Sequence, residues 1–439
     1  MRGLVSILVS VAGMFSALAE APTNVVLILS DDQGWGDYGF MGNNIVQTPN
    51  LDALAERSAV YRKGYVVSPL CRPSLASIVS GLYPHEHGVV GNDVSPAKKE
   101  ARNREDRPVV EAFHKKQSLV RFFVDRGYLA FQSGKWWEGS WKDGGFSHGM
   151  THGDYKKGGR HGDVGLKIGR EGMEPIADFL DQAVSEEKPF FLWYAPFLPH
   201  TPHNPQEKYK KNYQNKNIEP ATATYYAMCE WFDDTCGQLL GMLEERRLSE
   251  NTLIVYVCDN GWAAAEESTI ELPDDWWLKY APKSKGSPYE VGIRTPILFS
   301  LPGELKSGDR DGFASSIDLF PTMVKLCGFD IPEGLSGIDL MAKERSQVIG
   351  AAYSIHNMTP GEPFDTLQYA WIREGRWKYL QRYHGADTTK YLTVHEWDTA
   401  PIQLFDVEND PDEATNLANQ NPGVVTDFQR RLAETYPNP

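Results

Sequence analysis

Positive charge is scarce in this chain: 44 Lys and Arg stand against 59 Asp and Glu, a formal charge of -15. Neutralising nucleic-acid phosphates takes clustered Lys and Arg, so the balance argues against a nucleic-acid partner. It leaves an anionic small substrate open, because a local basic pocket decides that question. Cysteine is scarcer still, with five at 71, 229, 236, 258 and 327. That is an odd and sparse set beside the disulfide frameworks of small exported domains. Cys229 and Cys236 lie seven residues apart in a helix-like stretch. Such a spacing is roughly 10 Å along a helix axis, beyond disulfide reach. Phe232, Leu239 and Leu243 share their stripe, so both are expected as core thiols. Past residue 22 no apolar run reaches the about 20 residues that a membrane helix needs, and no stable membrane insertion of the mature chain is expected. Internal repeats and low-complexity tracts are absent as well.

What is present begins with "MRGLVSILVSVAGMFSALAEAP". Arg2 supplies a charge, Leu4 to Phe15 an apolar stretch, and Ala17-Leu18-Ala19 a small-residue cleavage site. The pattern predicts a signal peptide over residues 1–19 and export, to a periplasm or the medium. The rest is long enough for one large α/β domain, expected over 20–340, and a smaller subdomain over 341–439 with a small antiparallel sheet and a closing helix. Apolar strand-like runs at 24–29, 128–134, 188–199, 251–257 and 294–303 alternate with helical patterns at 48–57, 118–127, 173–184 and 221–247. Such alternation predicts a mostly parallel sheet with helices on both faces. Ligands of these sheets bind beyond the carboxyl ends of the strands. Four of the runs end there in chemistry: Asp31-Asp32, Lys135, His200 and Asp259-Asn260.

Adjacent carboxylates at a buried strand end repel, so they need a cation or their pKa values rise. Asp31, Asp32, Asp259 and Asn260 offer oxygen donors only, which selects a hard ion, Ca²⁺ or alternatively Mg²⁺, over zinc. Between them "SPLCRPSLASIVSG" sets Cys71 at the start of a helix, where unpaired N–H groups favour an anion. Residues 136–172, rich in Gly, His, Lys and Trp, read as a substrate-lining loop.

Taken together, "NVVLILSDDQGWGDYG", "TPNLDALA", "CRPSLASIVSGLYPHEHGV", "GKWW", "PFLPHTPH", "CDNGW", "KGSPYEVGIRTP" and "QLFDVENDPDEATNLA" resemble the type I sulfatases of the alkaline phosphatase superfamily. The resemblance spans nearly the whole mature chain. It implies the alkaline phosphatase-like sheet and oxidation of Cys71 to formylglycine by a maturation enzyme. The hydrated formylglycine would be both nucleophile on sulfur and metal ligand, with Asp31, Asp32, Asp259 and Asn260 as the other ligands. Lys135 and Lys285 would hold the sulfuryl oxygens and His200 would protonate the leaving oxygen. An exported member of this family is expected to act on a sulfated carbohydrate, with Arg72, Arg160, His161 and His203 as candidate substrate contacts. Arg294 is expected to pair a buried carboxylate. Two positions depart from the family pattern: Leu75 stands where it has arginine, and Trp137 where it has a histidine. Two other readings stay open, a phosphate mono- or diester hydrolase and a silent binder of sulfated glycan in which Cys71 remains a thiol.

Overall fold

The structure is a computed structural model that describes residues 23–94, 99–262, 283–356, 358–383 and 400–436. The expected signal peptide lies outside the described residues. The main sheet is built from β1 (Asn24–Ser30), β2 (Ala59–Tyr65), β3 (Leu129–Gly134), β4 (His148–Gly149), β5 (Phe190–Ala195), β6 (Thr252–Cys258), β7 (Arg294–Ser300), β8 (Gly308–Arg310) and β9 (Ala314–Ser315). Their order is β4-β3-β5-β1-β6-β7-β2-β8, with β9 beside β2. Pairing is parallel except where β7 meets β6 and β2.

The central strand β1 shows why a continuous apolar run was legible as a buried strand. Its side chains alternate between two apolar layers. Val25, Leu27 and Leu29 join the layer formed by the helices Cys71–Ser80, Leu119–Val124 and Leu319–Leu326. Val26 and Ile28 join the layer of Pro49–Glu56, Glu174–Ser185 and Pro220–Glu245. Each such side chain, fully buried, contributes about 1.5–3 kcal/mol of transfer free energy. Cys229 and Cys236 are wholly buried, and all five cysteines are free.

Two elements escaped the sequence pattern. β2 reads "AVYRKGY", and half-buried Arg62 and Lys63 interrupt its apolar alternation. The helix Lys99–Phe113 gathers its buried apolar side chains, Val109, Val110 and Phe113, near its end. A second sheet, antiparallel throughout, contains β10 (Gln347–Tyr353), β11 (Leu367–Glu374), β12 (Trp377–Arg382) and β13 (Ile402–Asp406), and the helix Pro422–Leu432 packs on it. Val348, Trp371 and Phe405 of this sheet bury themselves against Tyr65, Ile293 and Phe313 of the larger body. Among the described residues no helix is long and apolar enough to cross a membrane.

The Cys71–Ser80 helix is buried along its entire length. His87, 1% exposed, accepts the Val89 N–H at Nδ1 (3.1 Å) and places Nε2 2.9 Å from Ser77 Oγ. Burial pushes its pKa down to about 3, whereas an unfolded histidine titrates near about 6.5. Stability from the neutral ring is therefore complete above about pH 6.5 and is lost as pH falls towards 3. The full span is on the order of 4–5 kcal/mol. Urea denaturation at pH 7, 5 and 4 should show this acid loss, and His87→Gln should flatten it; an equal slope in the variant rejects the assignment.

Candidate active site

Four neighbouring parallel strands, β3, β5, β1 and β6, bring their carboxyl ends to one edge. β7 runs the other way, so Lys285, which precedes it, reaches the same edge. β2 runs with β6, and the chain leaving it starts the Cys71 helix there too.

Local backbone aims the side chains. A strand would send Asp31 and Asp32 to opposite faces, but Asp32 has a φ of 63°, in the left-handed region. The turn brings both carboxylates to one cavity. β3 ends at Gly134, φ 81°, where a Cβ would stand 1.8 Å from the Ala195 carbonyl oxygen. Only glycine fits, and the bend delivers Lys135 inward. His200 follows β5 in a proline-rich turn, its Nδ1 donating to the Thr201 carbonyl (2.5 Å) and its ring stacked on Phe197 at 4.1 Å.

Ligand atoms of Asp31, Asp32, Cys71 and His200 all lie within 4.8 Å of one another. Lys135 Nζ bridges Asp31 Oδ1 (2.5 Å) and Asp259 Oδ2 (2.9 Å), while Lys285 Nζ binds Asp32 Oδ1 (2.5 Å). Asn260 Nδ2 donates to Asp32 Oδ1 at 2.7 Å, and His200 Nε2 stands 3.4 Å from Asp32 Oδ2.

Three buried carboxylates thus face two lysines. Burial pushes Asp31 up to about 6 and Asp259 up to about 7, against the pull of Lys135. Burial opposes charge on Asp32 as well, but Lys285, His200 and Lys135 hold it well below the usual carboxylate range. Burial raises the Cys71 thiol to about 12 despite both lysines, so the thiolate that a helix start would favour does not form near neutrality.

Residues 23–329 match the family model described as Sulfatase. The chain belongs to the sulfatase family. Human arylsulfatase A is 26% identical over 476 residues, covering 94% of this chain and 87% of that protein. An ulvan-active sulfatase of Formosa agariphila is 24% identical over 455 residues, covering 96% and 80%. The solved structure of Ps i-CgsB in complex with k-i-k-neocarrahexaose superposes with a TM-score of 0.71 at 24% identity, covering 94% and 92%. Another, in complex with its substrate D-glucosamine-2-N,6-O-disulfate, gives 0.66 at 17% identity, covering 94% and 97%. Residues 284–436 match the description N-sulphoglucosamine sulphohydrolase, C-terminal. The architecture is the alkaline phosphatase-like one expected.

This sulfatase meets a simple test for a cation. Asp31 Oδ2 and Asn260 Oδ1 are buried oxygen acceptors with no hydrogen-bond partner among the described residues. Unpaired buried acceptors are costly, and a hard cation held among Asp31, Asp32, Asp259 and Asn260 would satisfy both. Leu75, 4% exposed, lies in the apolar core beside Cys71 and brings no polar group to the pocket. Trp137 lies with its ring centroid 5.6 Å from Lys135 Nζ.

The four residues expected at substrate divide. His161 is exposed, its ring 5.7 Å from Trp137 and 5.8 Å from His200. His203 is half-buried beside Tyr225. Arg72 is a correction: it is 0% exposed, its guanidinium taken up by Glu138 at 2.7 Å, so it cannot meet substrate. Arg160 is paired with Asp93 at 2.9 Å and only 10% of its side chain is exposed. Arg294, outside the cluster, lies 3.7 Å from buried Glu290 and stacks over Trp35 at 3.9 Å. Sequence reasoning missed Glu138 and Asp106; the only signal was that Glu138 follows the "GKWW" motif.

Proposed function

We propose that this sulfatase is an exported enzyme that hydrolyses O-sulfate esters of a carbohydrate polymer or its oligosaccharides. In this reading residues 1–19 are a cleaved leader, 20–340 the catalytic domain and 341–439 a C-terminal subdomain. The observation that carries it is the convergence of Asp31, Asp32, Cys71 and His200 within 4.8 Å, with Lys135 and Lys285 paired to the same carboxylates.

Asp31, Asp32, Asp259 and Asn260 would hold a divalent cation, calcium ahead of magnesium, which would supply electrostatic stabilisation of the sulfuryl oxygens. Formylglycine made from Cys71 by a maturation enzyme would supply the attacking hydroxyl. The protein's own side chains do the rest. Lys135 and Lys285 can swing from their carboxylates to the sulfuryl oxygens, whose charge they match. Burial, with Lys285 and Lys135, holds His200 well below the usual imidazole range, against Asp32. An anionic ester bound beside it draws that pKa back up. With Nδ1–H committed to Thr201, the proton on Nε2 is the one passed to the leaving oxygen as the S–O bond breaks.

A saccharide is favoured by the relatives that act on ulvan or bind glucosamine disulfate and neocarrahexaose. It is favoured too by a cavity of about 280 Å³ lined by Trp136, Trp137, Tyr155, Arg107 and Arg160. Aromatic walls with mixed charges suit a sugar, whose C–H face stacks and whose hydroxyls take hydrogen bonds.

The test is sulfate release from defined sulfated saccharides, 4-nitrophenyl sulfate and 4-nitrophenyl phosphate, with Cys71→Ser as the blank. Release from the saccharides above the blank is expected; release from neither sulfate class ends the proposal. His200→Ala should cost roughly 10²–10⁴-fold in kcat on a sugar sulfate, whose alkoxide leaves poorly. On 4-nitrophenyl sulfate, whose phenolate needs little help, the loss should stay within about tenfold. Equal losses on both reject the acid role.

A further inference from the structure

Arg72 and Arg160 are the cations of one buried ionic network. Arg72 donates from Nε and Nη2 to the two oxygens of Glu138 at 2.7 and 3.1 Å, and its Nη1 lies 3.5 Å from Asp106 Oδ2. Arg160 Nη1 lies 2.9 Å from Asp93, and its Nη2 3.4 Å from the same Asp106 oxygen. Tyr155 donates to Asp106 at 3.0 Å, and His356 Nδ1 meets Asp93 at 2.7 Å. Buried ion pairs rarely add net stability over apolar packing, so their presence asks for another reason.

The reason is in the neighbours. Arg72 follows Cys71, Glu138 follows Trp137, and Arg160 precedes His161. Each of these three network residues is one peptide bond from a residue of the sulfate pocket, and the three pocket residues come from a helix start, the segment after β3 and the Gly-rich loop. Asp106 joins two of the three, and Arg72 binds the third. Arg160 holds a φ of 43°, a backbone strain that persists only where surrounding contacts over-determine it.

We propose that this network is a positioning frame, which sets Cys71, Trp137 and His161 against one another. Arg72, Glu138, Asp106 and Arg160 are its positioning residues; Asp106 and Arg160 also line the cavity proposed as the sugar site, so the frame is tested on a sulfate ester that carries no sugar. The frame rests on the sulfatase reading for its purpose, but its geometry is testable apart from turnover. Asp106→Asn weakens the shared joint without emptying it. On 4-nitrophenyl sulfate it should lower kcat roughly 10- to 100-fold, the cost of a misplacement near 1 Å, with KM changed less than about threefold. Rates are taken per molecule carrying formylglycine, counted by mass on the peptide with residue 71. Arg160→Lys, which keeps a cation near Asp93 and Asp106, should retain most of the rate that Arg160→Met loses. If kcat per oxidised, folded molecule is unchanged while only the melting temperature falls, the network is scaffolding and the frame is wrong. A crystal structure of Asp106→Asn is the second arm: a His161 ring shifted from Trp137 is expected, and a superposable pocket overturns the frame. Should the wild type release no sulfate from any ester, the proposed function fails, and that structure still decides the frame.

Discussion

Cys71→Ala is expected to remove sulfate-ester turnover by on the order of 10⁴-fold or more, the scale seen when a nucleophile is deleted from a preorganised site. Burial raises the Cys71 thiol to about 12, so at neutral pH the unmodified residue is a protonated thiol and a poor nucleophile. On the proposed reading, activity depends on oxidation of this residue to an aldehyde whose hydrate carries two hydroxyls. Alanine can supply neither. The measurement pairs initial rates with the mass of the peptide over residues 68–81. In active enzyme that peptide should have lost sulfur and gained oxygen at residue 71. Active protein with an intact thiol there would exclude the oxidised nucleophile, and an active Cys71→Ala variant would exclude residue 71 altogether. The peptide mass also answers what Leu75 raises, since it reports whether maturation proceeds with a leucine in place of the family's arginine.

Removal of divalent ions should have the next largest effect, a loss of about 100-fold or more in kcat, restored by calcium. The charge count favours it: with Asp31, Asp32 and Asp259 all ionised, three negative charges face the two positive charges of Lys135 and Lys285 in a buried site. The pH dependence follows from the same groups. Burial raises Asp31 to about 6 and Asp259 to about 7, so protons compete with the cation, and its affinity should weaken as pH falls through 7 towards 6. Ion-free protein should show the reverse trend in stability. A carboxyl raised above its unfolded value of about 3.8 adds stability that is complete below that value and is lost as pH rises through 6–7. The gap in melting temperature between calcium-loaded and ion-free protein should therefore widen from pH 5 to pH 8. Asp259→Asn should narrow that gap at pH 8 and weaken calcium binding measured by calorimetry. A gap independent of pH would show that these carboxylates do not hold the ion.

Much of this site could be read without coordinates because its main donors stand where apolar strands end. β1, β3, β5 and β6 are continuous buried runs, and Asp31, Lys135, His200 and Asp259 follow them within one to five residues. A parallel sheet places such ends at one edge whatever the details of packing. Lys285 came from motif resemblance, since nothing local marks it; its contact with Asp32 spans 253 residues. β2 was hidden by Arg62 and Lys63, which an outer position in the sheet tolerates.

The arginines mark the boundary between the two kinds of knowledge. Composition and strand ends determined the fold class and pointed to the oxygen-donor set, because each depends on local pattern or on residue chemistry alone; the reading of Cys71 as the residue to be oxidised rests on the resemblance. Which cations stand at the carboxylate cluster and which are taken up elsewhere was decided only in three dimensions. Arg72 looked like a spare positive charge beside Cys71, and it is consumed by Glu138, 66 residues away. A charged side chain takes the best-placed opposite charge within a few ångströms, and that partner is set by packing between distant segments.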